Sequence, residues 1–129
     1  LVSIIAAAAA AFVIGAIWYV PLSRPWMAAG QVPRDDEGRP VNASSPMPYV
    51  TSFACMLLVT GMMRHTFAAS GVDGAAAGLV SGLGIGLFFI TPWIVLNNAY
   101  ACRSARLSAI DGGYASLECG VAGLVLTLS

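Results

Sequence analysis

Charged residues are scarce in this sequence, and lysine is absent altogether. Of the 129 residues only 9% are charged, whereas a soluble domain usually has about 25%. The formal net charge is zero and all six cationic residues are arginines. The basic surface by which proteins bind nucleic acid is therefore missing, and a soluble globular domain is disfavoured.

Cysteine and recognisable catalytic motifs are scarce as well. Cys55, Cys102 and Cys119 are scattered along the chain and form neither a CxxC pair nor a zinc-ligand spacing. The sequence contains no HExxH, no GxSxG and no glycine-rich phosphate loop. We therefore expect unpaired thiols packed as small apolar groups, no metal, no cofactor and no enzymatic activity.

Apolar residues, by contrast, make up 58% of the chain. They are concentrated in four continuous stretches, at about residues 1–22, 48–66, 74–97 and 107–128. A helix of each length can cross a hydrocarbon core of about 30 Å, and continuous apolar runs favour helices over the alternating strands of a barrel. The sequence thus predicts an all-α protein, an integral membrane four-helix bundle that forms one domain over residues 1–129.

The first apolar stretch differs from a cleavable signal peptide. It has no basic flank, and it ends in Trp18-Tyr19-Val20-Pro21 rather than at a small-residue cleavage site. We expect it to be a retained span.

The arginines predict an orientation in the membrane. A polar, proline-rich connector at about 23–47 and a third connector at 99–106 hold five of the six arginines: Arg24, Arg34, Arg39, Arg103 and Arg106. Only Arg64 flanks the second connector. Because arginine is enriched on the cytoplasmic side, both of these loops are predicted to be cytoplasmic, in a bacterial inner membrane, with the two termini outside.

Small residues recur at every fourth position in three of the stretches, and such stripes let helix backbones approach closely. The stripes are Ser3, Ala7, Ala11 and Gly15; Gly74, Gly78, Gly82 and Gly86; and Ser108, Gly112, Ser116 and Gly120. They have two possible uses. They hold this bundle together, or at least one of them packs against another subunit, with the glycines of the third stretch as the leading candidate.

Proline 92 interrupts the third stretch directly after Thr91. Proline removes one helical hydrogen bond and usually kinks the helix. Threonine side chains and neighbouring helices can satisfy the freed carbonyl. The alternative is a hinge, or an opened carbonyl near a ligand site.

Ionisable side chains in the fourth stretch are the most informative polar feature. Asp111, Tyr114 and Glu118 are spaced by three and four residues and so share one helix face. Carboxylates inside membrane spans are costly, and they usually face the protein interior or a water-filled cavity. With neighbouring polar residues they form a candidate functional cluster: Asn97, Asn98, Arg103, Arg106, Asp111, Tyr114 and Glu118.

Two interpretations of this cluster are open. In the first, Asp111 pairs with Arg103 or Arg106 and locks the hairpin of the third and fourth stretches. In the second, Asp111 and Glu118 form a pathway for protons or cations.

Two sequence motifs resemble those of a bacterial membrane family, domain of unknown function 1761. They are Gly15-Ala16-Ile17-Trp18-Tyr19-Val20-Pro21-Leu22 with Trp26, and Leu96-Asn97-Asn98 with Ile110-Asp111-Gly112-Gly113-Tyr114. The resemblance covers nearly the whole chain and implies a small four-span protein without an established activity. It marks Trp18, Tyr19, Pro21, Trp26, Asn97, Asn98, Asp111, Gly113 and Tyr114. The run Arg34-Asp35-Asp36-Glu37 and the turn at 101–106 depart from the family pattern.

The expected function is that of a non-enzymatic membrane protein, an accessory or structural subunit of a larger membrane complex or a homo-oligomer. Its partners would be the lipid bilayer and other membrane subunits or copies of itself. The alternative is a small ion- or proton-coupled transporter using Asp111 and Glu118. A Glu118 side chain facing lipid or a partner favours assembly, and a wet cavity shared with Asp111 favours transport. A third option, an enzyme acting on a lipid or quinone, requires a pocket at Tyr114 and Asn98.

Overall fold

The computed structural model describes all residues from 1 to 129, and the chain is helical apart from its loops and turns. The helices are α1 (Val2–Gly30), α2 (Met47–Ser70), α3 (Ala75–Ile85), α4 (Thr91–Tyr100) and α5 (Ala105–Leu128). A π-helical turn, Gly86–Ile90, joins α3 to α4, so these segments form one continuous helix, Ala75–Tyr100, here called the third rod. The predictions of an all-α chain and of four helices are confirmed.

Two of the four helices, α1 and the third rod, are long and apolar enough to cross a membrane. Only 17% and 11% of their apolar windows are buried within the protein. The core helix of a soluble protein is mostly buried. These two helices differ from such a helix because most of their apolar side chains face outward.

Helix α1 continues well past the end of the first apolar stretch. It runs through Pro21 and Pro25 and ends at Gly30, and the next residue, Gln31, adopts a left-handed conformation with φ 51°. Each proline removes a backbone hydrogen bond, but the added turns bring Met27 and Gly30 into buried positions. Leucine 107 of α5 packs against Gly30. The first connector is therefore residues 31–46, shorter than the predicted 23–47.

Helix α5 lies at the centre of the bundle. It packs against α1, α2 and every segment of the third rod, and nearly half of its residues are buried, whereas α4 has no buried residue. Helix α2 is peripheral, and only Thr60, Met63 and Phe67 are buried there. The apolar core lies where α1, α2 and α5 meet, around Ala7, Met63, Phe67, Cys119, Ala122 and Leu126.

The glycines of the third rod face α5 of the same chain. A Cβ atom at Gly78 would overlap Gly123 and Thr127, one at Gly82 would overlap the Cys119 carbonyl, and one at Gly86 would overlap Ala115. Because α5 occupies this face, these three glycines have the first of the two uses given above and hold this bundle together, rather than packing against another subunit. A four-residue stripe specifies close approach but not which helix approaches. Gly74 precedes α3 with φ 91° and has open space around it.

The fourth-stretch glycines complete this contact from the other side. Gly120 accommodates Leu83 and Leu79, and Gly112 accommodates the Thr91 side chain. The two helices therefore meet through matched small residues along most of their length. We call this contact the glycine seam.

The π-helical turn is tied to α5 by Thr91. The backbone N–H of Thr91 donates to the Gly86 carbonyl. Its hydroxyl lies 2.7 Å from that same oxygen and 3.1 Å from the Gly112 carbonyl of α5. The carbonyl that Pro92 leaves free lies four or five residues before it, at Phe88 or Leu87, whereas Thr91 binds the Gly86 carbonyl. That threonine satisfies the freed carbonyl therefore stays a prediction.

The glycine seam gives a direct test of the packing. We expect Gly82→Ala to lower the free energy of unfolding by roughly 1–3 kcal/mol, since overpacking forces a backbone shift. Gly84→Ala is the matched control, because nothing lies within 4 Å of a Cβ added there. Unfolding of both variants in detergent micelles is the measurement, and equal effects would contradict the seam.

Candidate functional site

Aromatic side chains of α1 meet a carboxylate of α5 at one end of the bundle. The Trp18 indole N–H donates to the Ile110 carbonyl at 2.9 Å, and the Tyr19 hydroxyl donates to Asp111 Oδ1 at 2.6 Å. The Tyr19 ring packs edge-on against Trp26 and Tyr114, with centroids 5.9 Å and 5.0 Å away. We call these residues, Trp18, Tyr19, Trp26, Asp111 and Tyr114, the aromatic–carboxylate cluster.

Glycines on each helix make room for the aromatic rings of the other. A Cβ atom at Gly113 would lie 2.8 Å from Trp18 Cζ2, and one at Gly15 would lie 3.0 Å from the Tyr114 hydroxyl. Both glycines are therefore needed for the ring positions. Pro21, which the family pattern also marks, is exposed and lies within α1.

Further along the same face of α5, Glu118 points into the bundle. It is only 3% exposed, and its Oε2 atom is buried without a hydrogen-bond partner. Tyr114, one turn away, donates to the Ala11 carbonyl of α1 at 3.3 Å, while Ala7 of α1 packs with Cys119. Glu118 thus lies between these two contacts along α5 and is enclosed within the bundle.

The expected pairing of Asp111 with Arg103 or Arg106 is wrong. Both arginines are exposed, and the ion pairs of this structure join Arg39 to Asp35 and Glu37 in the first connector. Asp111 faces α1 and binds Tyr19 instead. The sequence places Asp111 on a helix face, but it does not say which neighbouring helix that face meets.

The two asparagines have different surroundings. The Asn98 side-chain amide donates to Ser108 Oγ at 3.0 Å and so ties the third rod to α5, whereas Asn97 is exposed. The seven-residue cluster predicted from the sequence is therefore divided. Asp111, Tyr114 and Glu118 face α1, Asn98 lies on the other side of α5, and the remaining members are at the surface.

Sequence reasoning missed Ser104, a polar residue that connects α5 to α1. Ser104 accepts a hydrogen bond from Leu107 N at the start of α5 and also donates to the Ala29 carbonyl at 3.3 Å. The position of Ser104 just before an apolar run is a typical N-cap signal. The contact with Ala29 shows that the first and third connectors lie at the same end, here called the connector end.

The acidic run of the first connector folds around Asp35. The backbone N–H groups of Arg39 and Glu37 each donate to Asp35 Oδ1 at 2.9 Å. These hydrogen bonds, the one from Arg39 foremost, and the nearby Arg39 guanidinium lower the pKa of Asp35 below its ordinary value. The run is thus a local turn, closed by a bridge between Arg34 and Pro40.

Trp18 and Tyr19 of the first family-like motif and Ile110 and Asp111 of the second, far apart along the chain, thus form one contact in space. The family described as "Protein of unknown function (DUF1761)" matches residues 2–127. This chain belongs to the DUF1761 family. The resemblance noted in the sequence is confirmed. Neither the comparison with curated proteins nor that with solved structures gives a match.

The site of this DUF1761 protein offers hydrogen-bonding and proton-binding groups. Its members are two carboxyl groups, the Tyr19 and Tyr114 hydroxyls, and the buried thiol of Cys119. No three His, Cys, Asp or Glu side chains converge as a metal site would require. The arrangement can hold a proton or accept a hydrogen bond.

The bond between Tyr19 and Asp111 can be tested by removing one hydroxyl. We expect Tyr19→Phe to lower the free energy of unfolding by roughly 0.5–2 kcal/mol, the range for hydrogen bonds between helices in membranes. Tyr49→Phe is the control, because Tyr49 is 55% exposed and its ring packs on Phe12. The measurement is unfolding in detergent, and no difference between the variants would contradict a stabilising bond.

Proposed function

We propose that this DUF1761 protein is a small non-enzymatic integral membrane protein whose four helices cross the bilayer. In this proposal it acts as an accessory or structural subunit of a larger membrane complex, or assembles with copies of itself. The observation that carries the proposal is the apolar outer surface of the bundle.

Large apolar side chains cover the outside of three helices. The most exposed include Val20 of α1, Leu58 of α2, and Val80, Phe88, Phe89 and Trp93 of the third rod. Contiguous apolar surface of this kind marks contact with a membrane or with another protein. In a membrane, lipid tails or partner helices would cover these side chains, so their apolar area would not be exposed to water.

Helix α5 is less apolar than α1 and the third rod, and this difference fits the same proposal. Its carboxyl groups face inward, where other helices surround them, and polar side chains in membrane proteins usually take such positions. A central helix of this kind need not be apolar enough to contact lipid on its own.

An apolar groove supports the accessory role. It lies between α2 and the third rod, has a volume of about 470 Å³, and is lined by Leu58, Val59, Met62, Met63, Thr66, Ile85 and Phe89. A fully packed four-helix bundle would leave no such groove, so a lipid chain or a partner helix is expected to fill it.

Gentle extraction followed by size and mass analysis tests this proposal. A defined complex with a stoichiometric partner supports the accessory role, and a homo-oligomer supports self-assembly. A monomer that carries only lipid would overturn both.

A pair of variants sharpens that experiment. Phe89 lines the groove and is 69% exposed, while its neighbour Phe88 is 73% exposed and does not line it. We expect Phe89→Ala to reduce recovery of the complex and Phe88→Ala to leave it intact, because only the former removes a groove contact.

The proposed orientation places the connector end in the cytoplasm. Its support is the enrichment of arginine there. Cys102 is exposed in the third connector, while Cys119 is buried. We expect a membrane-impermeant maleimide to label Cys102 in inside-out vesicles and not in intact cells, with Cys102→Ser as the control. Labelling in intact cells would reverse the orientation.

The second candidate is an ion- or proton-coupled transporter, favoured by the inward position of Glu118 one heptad from Asp111. Four helices are few for one carrier, so this role requires an oligomer. The test is proton-driven uptake of an ion or solute into vesicles that contain the protein. Uptake that the Asp111→Asn substitution abolishes would distinguish a transporter from a purely structural protein.

A further inference from the structure

Glu118 is the polar side chain that the packing of the bundle leaves unexplained. It is almost fully buried, and its Oε2 atom has no hydrogen-bond partner. Buried polar atoms without partners are rare in native structures, and each calls for a cause such as an unseen ion, water or functional role.

No positive charge neutralises Glu118 from any helix packed on α5. The arginines and His65 are all exposed. On α2 the other ionisable groups, Tyr49 and Cys55, are exposed too, and the third rod has only Tyr100, which is 85% exposed. An isolated carboxylate in an apolar interior is strongly disfavoured, so the surroundings suit a neutral carboxyl group.

The other ionisable groups on this side of α5 come from α1 and α5 alone. Tyr114 lies one turn before Glu118 on the same helix face, Cys119 is its buried chain neighbour, and Tyr19 of α1 packs on the Tyr114 ring. None of them carries a positive charge in either protonation state. A bound proton is therefore the simplest species that balances the Glu118 carboxylate.

Hydroxyl groups and a second carboxylate lead from Glu118 toward the connector end. Asp111 lies two turns away on the same face, about 10 Å along the helix axis. Tyr19 donates to Asp111 at 2.6 Å, and its ring packs on that of Tyr114. Tyrosine hydroxyls both donate and accept hydrogen bonds. The Tyr114 hydroxyl donates to the Ala11 carbonyl in this structure, so it must leave that acceptor in order to relay a proton between the two carboxyl groups.

We propose that Glu118 is a proton-binding site that exchanges its proton with water at the connector end through Tyr114, Tyr19 and Asp111. On release, the electron pair of the O–H bond stays on Glu118, which becomes a carboxylate, and the Asp111 carboxylate accepts the proton and passes it to water. Uptake is the reverse. This inference rests on the proposed membrane embedding, because the bilayer would keep water from other routes to Glu118.

The sequence offers a clean measurement, since Glu37 and Glu118 are its only glutamates. Glutamate labelled with ¹³C at the side-chain carboxyl gives two signals by NMR in bilayers. Glu37, with its side chain 74% exposed and near the Arg39 guanidinium, serves as the exposed reference. At neutral pH we expect the Glu118 signal at the position of a protonated carboxyl group. Glu118→Gln removes that signal and Glu37→Gln removes the other, so either variant alone assigns both.

Exchange of the bound proton tests the route. In heavy water we expect the Glu118 signal to show a deuterium isotope shift. Asp111→Asn and Tyr19→Phe should abolish this shift over the time in which the wild-type protein exchanges completely. Asp73→Asn, at an exposed aspartate before α3, should leave the exchange unchanged.

Three results would overturn the proposal. They are a Glu118 signal at the carboxylate position, no exchange in the wild-type protein, and equal exchange in the Asp111→Asn and Asp73→Asn variants. Failure of the embedding itself has a different signature, because the protein would then be recovered from the aqueous phase without detergent.

Discussion

The close approach of the third rod to α5 is the contact on which the rest of this structure depends. Glycines at Gly78, Gly82 and Gly86 let the two backbones meet without intervening side chains. In lipid, where apolar side chains gain nothing by leaving the solvent, such backbone proximity and its van der Waals contacts drive helix association. With one face of α5 fixed in this way, its opposite face must meet α1.

That arrangement determines the surroundings of the two carboxyl groups. Asp111 is turned toward α1 near the connector end, where Tyr19 donates to it and Trp26 packs on the Tyr19 ring. Glu118, one heptad deeper, meets a part of α1 that includes the fully buried alanines Ala7, Ala8 and Ala11. Small residues there bring α1 close and leave no donor side chain. One carboxylate is therefore satisfied by a phenol, and the other keeps an unpartnered oxygen.

Much of the fold follows from the sequence, because a long apolar run satisfies its own backbone hydrogen bonds when it forms a helix. All four helices were predictable on that basis. The partners of individual side chains were not predictable. The stripe at Gly82 does not reveal which helix it meets, and Asp111 has an arginine nearby in sequence but a tyrosine nearby in space. The extension of α1 through Pro25 depends on the burial of Met27 and on the packing of Gly30 against Leu107 of α5, which no local pattern encodes.

In the proposed membrane-embedded bundle, the other helices enclose α5 and shield it from lipid. Lipids with a photoactivatable group on the acyl chain test this directly, because the carbene they produce inserts into whatever protein surface contacts the chain. We expect labelling on the outer faces of α1, α2 and the third rod, with α5 labelled least. Labelling of α5 as strong as that of the third rod, or no labelling of any helix, would contradict it.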